Sequence, residues 1–208
     1  VFAEQTQILR NAQIKSLDDM KSGDLFGQVF HNRRVVYANE VISGYLSHYN
    51  FNWLFIKGDL VRHHAPSMGL LYLWELPFLL IGIYLLLFGN FPKQTKWFIF
   101  LWFLLAPIPA SVTTGVPHAV RTLNFLPTFQ IFTAIGLVSV FAWISHPHFA
   151  RASRDKQVIK GLVVGIFALI VTFNFSYYLN QYFIQQNYYF AEYWQYGYKE
   201  LVEYADGV

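Results

Sequence analysis

A histidine and an arginine three residues apart, in Pro117-His118-Ala119-Val120-Arg121-Thr122-Leu123-Asn124, are the chain's clearest pairing of chemically active side chains. The stretch lies between two apolar segments, 97–112 and 123–144. At i, i+3 the two side chains share one face of a helix. Here that helix would be starting, where its first N–H groups lack partners and its dipole end is positive. Imidazole, guanidinium and a helix N-terminus together suit a phosphate. A second group lies in Lys57-Gly58-Asp59-Leu60-Val61-Arg62-His63-His64, an irregular loop marked by Gly58 and Pro66. Lys57, Asp59, Arg62 and His63 could complete a pyrophosphate or phosphodiester site from another side. Each group also has a plainer reading. Arg121 could snorkel at a helix end with His118 on a carbonyl, and the loop could be a solvated turn holding an Asp–Arg pair.

Carboxylates near these residues are limited to Asp59 and Glu75, and neither sits in a recognisable acid–base pair. Glu75 interrupts an apolar stretch, so it is expected to face protein or water rather than lipid, as a structural partner. No metal site is expected. His63-His64 and His146-Pro147-His148 lack the carboxylate or second-helix partners that a metal requires. The absence of cysteine excludes disulfides, thiolate metal centres and cysteine nucleophiles. Asn174-Phe175-Ser176 fits a glycosylation sequon but lies inside an apolar segment, where it would be silent. No Gly-rich phosphate loop, nucleophile elbow or internal repeat is present.

The elements that must position these residues are mostly apolar. The chain of 208 residues is 55% hydrophobic and 20% aromatic but only 13% charged, against about 25% for an ordinary soluble domain. Its apolar residues come in blocks, the pattern of an all-α polytopic membrane protein. Four spans are expected, at 69–89, 97–113, 122–144 and 160–180, each near the roughly 20 residues a crossing needs. Pro107 and Pro109 break the second, which requires the freed carbonyls to meet protein or a wet cavity. Residues 1–68 are the polar part. A helix is expected from Glu4 to Met20, ended by the turn at Gly23. Another is expected from Leu25 to Tyr49, interrupted near His31–Arg34, which could lie in the membrane interface or pack on a soluble core. Residues 51–56 are expected to be extended, with Ser67 as the N-cap of the first span. Val1 and the abrupt end at Val208 are read as marks of a piece of a longer protein, with 181–208 starting a C-terminal outer region.

Charge gives an orientation. The turn 90–96 carries Lys93 and Lys96, and 145–160 carries Arg151, Arg154, Lys156 and Lys160 against Asp155. By the positive-inside rule both face the cytoplasm. The loop at 57–67, the His118/Arg121 corner and the tyrosine-rich tail then share the extracytoplasmic face. The net charge of +3 fits basic loops beside membrane lipids, and nucleic-acid binding is not expected because the basic residues are split between two membrane faces.

Several stretches resemble a known family. Tyr45-Leu46-Ser47-His48-Tyr49-Asn50-Phe51, Phe55-Ile56-Lys57-Gly58-Asp59 and Arg62-His63 ahead of Pro66 and Gly69 are similar to polyprenyl-phosphate-dependent glycosyltransferases of family 39, relatives of the protein O-mannosyltransferases. Leu71–Phe78, Ala106-Pro107-Ile108-Pro109-Ala110, the Pro117–Asn124 corner and Trp194–Glu200 resemble the same group. The resemblance implies a GT-C-like helical bundle and an enzyme that moves a sugar from a polyprenyl-phosphate donor to a protein, lipid or glycan acceptor outside the membrane. It implies carrier-phosphate binding by His118 and Arg121, and an acceptor or phosphate side formed by Lys57, Asp59, Arg62 and His63. The catalytic Asp of that family lies in an early external loop that nothing here matches, so it is expected upstream. The resemblance indicates neither a cofactor nor whether a divalent metal takes part. Two other readings fit the composition: a transporter or flippase using broken helices and Glu75, and a non-catalytic membrane subunit.

Overall fold

The computed structural model describes residues 6–145, 154–194 and 197–206. Every regular element among them is helical and no strand occurs among them. The polar N-terminal part forms α1 (Thr6–Ser22), α2 (Leu25–Phe30) and α3 (Arg33–Ser47). Side chains set the breaks between them. Asp24 accepts the N–H groups of Phe26 and Gly27 at 3.0 and 3.1 Å, and Asn32 accepts that of Arg34 at 2.9 Å. Each is an N-cap that satisfies donors the new helix would leave open. The expected interruption at 31–34 is thus a capped restart.

Two local expectations are corrected. Residues 52–57 are a π-helical turn, not an extended run, because the Asn50 side chain accepts the N–H groups of Asn52 and Trp53 and starts a helical turn there. Burial of Trp53, Leu54 and Phe55 then holds it. Ser67 caps no helix. It has a φ of 57°, its carbonyl accepts the Tyr177 hydroxyl at 3.3 Å, and the next helical turn begins at Leu73.

The apolar part comprises a 3₁₀ turn (Leu73–Glu75), α4 (Leu76–Phe88), α5 (Lys93–Leu105), α6 (Ile108–Ser111), α7 (Leu126–Ser145) and α8 (Arg154–Asn180). Beyond α8 lie a second π turn, α9 (Gln186–Tyr189), a 3₁₀ turn and α10 (Tyr198–Asp206). Among the described residues, two helices are long and apolar enough to cross a membrane: Leu126–Ser145, and Lys160–Tyr189, which runs from within α8 through α9. They lie over the third and fourth stretches expected to span, 122–144 and 160–180, and qualify by length and composition. None of the apolar window within Lys160–Tyr189 is buried in the protein. Leu162, Leu169 and Phe173 stand open along it, a surface better suited to lipid than to water. The first two expected spans are realised as 13-residue helices, α4 and α5. At 1.5 Å per residue each is about 20 Å long, short of the ~30 Å hydrocarbon core. Residues 69–72 remain irregular, and Pro107 stops α5.

The proline break is satisfied as the sequence requires. Pro107 has no N–H for the Phe103 carbonyl four residues earlier. The Tyr49 hydroxyl donates to that carbonyl at 3.0 Å, and the Tyr45 hydroxyl to the Leu104 carbonyl at 2.9 Å. Two tyrosines one turn apart at the end of α3 therefore clasp the end of α5. Around them Phe100 meets Phe132, while Phe103 meets Phe125 and Phe129, so α5 runs antiparallel to α7. Against α4, α7 makes backbone contact. A Cβ on Gly82 would strike the Phe132 carbonyl, and one on Gly136 would strike that of Phe78. Small residues are what allow helices to approach this closely without a soluble-type core.

Glu75 is 5% exposed, its Oε1 accepts the Tyr72 amide at 3.4 Å, and its Oε2 is buried without a hydrogen-bond partner among the described residues. This matches its expected place against protein.

Gly136→Leu in the full chain should separate α4 from α7 and cut the yield of folded, monodisperse protein in detergent several-fold. Tyr49→Phe leaves the Phe103 carbonyl without its partner and should cost about 1–3 kcal/mol. Thermal unfolding reads the latter, and an unchanged midpoint would show that this hydroxyl does not hold the break.

Candidate functional site

The site is built from two loops far apart in sequence. The first comes directly after the π turn. At Gly58 (φ 69°) an added Cβ would meet the Met68 carbonyl and the His64 ring, so only glycine lets the chain pass between them. This delivers Asp59 inward. Its Oδ1 accepts the Leu60 N–H at 2.8 Å, and its Oδ2 accepts the Ala119 N–H at 2.6 Å. The second bond spans 60 positions and joins the loop to the corner.

The corner is not the start of a helix. Val120–Thr122 is a single 3₁₀ turn, steadied by the Thr122 hydroxyl donating to the His118 carbonyl at 2.8 Å, and α7 begins only at Leu126. Hence the expected row of open N–H groups beside His118 and Arg121 does not form. The Ala119 N–H, which would have faced an external anion, is taken by Asp59. His118 and Arg121 also differ in role. Arg121 is exposed, and its Nη1 donates to Thr113 Oγ1 at 2.7 Å and the Thr114 carbonyl at 2.6 Å. Its Nε and Nη2 have no partner among the described residues. His118 turns inward, with its side chain 12% exposed.

There it meets His63. The two rings stack with centroids 4.3 Å apart at 29°. The Nδ1 atoms of His63 and His118 lie 3.8 and 3.9 Å from Asp59 Oδ2. These gaps exceed hydrogen-bond length. Both Nδ1 atoms are buried without a hydrogen-bond partner among the described residues. Asp59, His63 and His118 are thus an acid and two bases facing one small space, a donor set able to hold a metal ion. The expectation that His63 lacks a carboxylate is corrected. Asp59 stands four residues before it, a spacing that was a usable signal, whereas the approach of His118 is a product of the fold. His146 and His148 lie outside the described residues.

Lys57 and Arg62 make no hydrogen bond or ion pair among the described residues, and Lys57 is exposed. Lys57 also lines a cleft of about 260 Å³ with Asn50, Asn52, Trp53 and Pro117. His48, which sequence reasoning did not place at the site, is fully buried beneath it. Its Nδ1–H donates to the Gly44 carbonyl at 2.8 Å, and its ring meets the Trp53 edge. The C-terminal end of the long apolar helix closes the loop from below, where the Gln186 side chain donates to the Val61 carbonyl at 3.1 Å. Loop, corner and helix end therefore meet at one place.

Burial lowers the pKa of His48 and of His64. Burial also lowers that of His118, helped by the Arg121 and His63 charges and opposed by Asp59. Below the unfolded imidazole value of about 6.5, the unfolded chain takes up protons that these folded histidines refuse. Their contribution to stability is therefore complete above that value and is lost as pH falls through their folded values. Thermal unfolding in detergent should show a midpoint that is flat above pH 7 and drops as the pH falls below the unfolded imidazole value of about 6.5. His48→Gln should reduce the drop, and a midpoint rising on acidification would contradict the assignment.

No protein-family model, curated protein or solved structure matches the chain.

Proposed function

We propose that the chain is part of a multi-pass membrane glycosyltransferase of GT-C type, moving a sugar from a polyprenyl-phosphate carrier to an acceptor on the outer face of the membrane. The observation that carries this reading is the joining of the 57–64 loop to the 117–121 corner, through Asp59 and the Ala119 amide, beside the end of an apolar helix. Around that joint stand three cations, Arg121, Lys57 and Arg62. Transfer from a lipid phosphate leaves negative charge on the departing phosphate, and fixed cations stabilise it most where water is scarce. Arg121 is the best placed of them. Thr113 and Thr114 hold one end of its guanidinium, which leaves Nε and Nη2 to grip a phosphate without first losing side-chain freedom.

An isoprenoid tail needs an apolar track leading to that phosphate. Leu104, Leu105, Ile108 and Val112 are exposed around the proline break between α5 and α6, two helices that end just before the corner. The Asp59, His63 and His118 cluster would set the shape of the floor, and the cleft beside Lys57 would face the acceptor. The basic turn at 90–96 and the basic run near 154–160 then face the cytoplasm.

In the full-length enzyme, reconstituted with a polyprenyl-phosphate sugar, Arg121→Ala should lower transfer by about two orders of magnitude, the scale of losing one charge-stabilising donor. Membrane insertion and yield should hold. Undiminished turnover in that variant would overturn the reading, and substrate flux without sugar transfer would favour a transporter.

A further inference from the structure

We propose that Asp59, His63 and His118 form a binding site for a divalent transition metal of the zinc class, with coordination positions left open toward the outer surface. Metal binding at these residues does not depend on the transferase reading.

Two imidazole nitrogens are buried without a partner among the described residues, and both face one carboxylate oxygen across gaps too long for hydrogen bonds. A buried polar atom left in this state is costly, and two beside one another point to a ligand they share. The three donor atoms lie within 4.8 Å of one another. Ligands at about 2.0–2.2 Å from zinc stand roughly 3.3–3.6 Å apart in a tetrahedron. The 3.8 and 3.9 Å separations therefore need to contract by only a few tenths of an ångström. The stacked rings already turn their Nδ1 atoms toward the same carboxylate.

The surroundings suit a ligand set. Asp59 is held in place by the Leu60 and Ala119 amides, the kind of outer hydrogen bonding that fixes a metal-binding carboxylate. The ligands come from two loops, so an ion would tie the 57–64 loop to the corner more firmly than the Ala119 bond alone. Two imidazoles and one carboxylate favour zinc, cobalt or manganese over magnesium or calcium, which prefer oxygen ligands throughout. Three protein ligands leave a zinc-like ion at least one position for water or for an anionic oxygen.

The experiment is titration of the purified, chelator-stripped full chain in detergent with Zn²⁺ alone, and in parallel with Co²⁺. The expected result is one equivalent of Zn²⁺ per chain, not displaced by a large excess of Mg²⁺. Co²⁺ should give the visible absorption of a four- or five-coordinate site. His63→Gln and His118→Gln should each weaken Zn²⁺ binding at least tenfold, and together abolish it. His31→Gln, which alters a separate His–Asp contact with Asp19, should change nothing. Little Zn²⁺ retained by the wild-type chain, or a double variant that binds like wild type, would overturn the proposal. The wild-type Co²⁺ spectrum decides the matter even if the variants fail to fold. An octahedral spectrum, matching Co²⁺ in buffer, would count against it.

Discussion

A carboxylate taken out of water must be met by donors, and Asp59 is met by the backbone of a segment 60 positions away. That requirement shapes the end of the molecule where the 57–64 loop meets the 117–121 corner. Gly58 brings the carboxylate inward, and the Ala119 amide receives it. His63 and His118 are carried to the same oxygen from opposite sides of the joint. Without this bond, the loop and the corner would be two solvated turns with no reason to share a site. The same bond changes what the corner can do. An amide that would have faced outward is committed to the Asp59 carboxylate, and the exposed cation left at the corner is the Arg121 side chain.

The scaffold beneath answers a similar need. A proline break in an apolar helix strands carbonyls that lipid cannot satisfy. Tyr45 and Tyr49, one turn apart in the polar region, donate to Leu104 and Phe103. Thus the polar N-terminal region is fastened to the apolar helices by polar bonds at their proline break. On the other side, Gly82 and Gly136 bring α4 and α7 into backbone contact. Phe167 of α8 packs edge-on against Trp74 and Phe78, near the start of α4. One end of the helices is thereby held still while the remaining face of α8 stays apolar and open.

Much of this was legible in the residue pattern. Apolar blocks gave the long helices, Gly23 and the Asn32 region gave the helix restarts, and the prolines gave a break that demanded outside donors. Helix ends were less legible, because tertiary partners decide where a helix stops. Asn50 converted an aromatic run into a π turn, and the 117–122 corner closed on itself before α7 could begin. The candidate residues His118, Arg121, Asp59 and His63 were visible as types, but their roles were not. Periodicity can place His118 and Arg121 on one face only if the segment is a helix, and it is a single 3₁₀ turn. The Asp59–His63 spacing was present in the sequence, whereas the inward turn of His118 depends on a long-range bond that no local pattern encodes.

The joint between the loop and the corner can be tested directly in a chain with no native cysteine. His63→Cys combined with His118→Cys, oxidised in intact membranes and read as an intramolecular disulfide after proteolysis between the two positions, should cross-link rapidly. His63→Cys with Lys93→Cys, at the far end of α5, should not. Failure of the first pair in folded protein, or equal cross-linking by both, would contradict the claim that these two loops make one site.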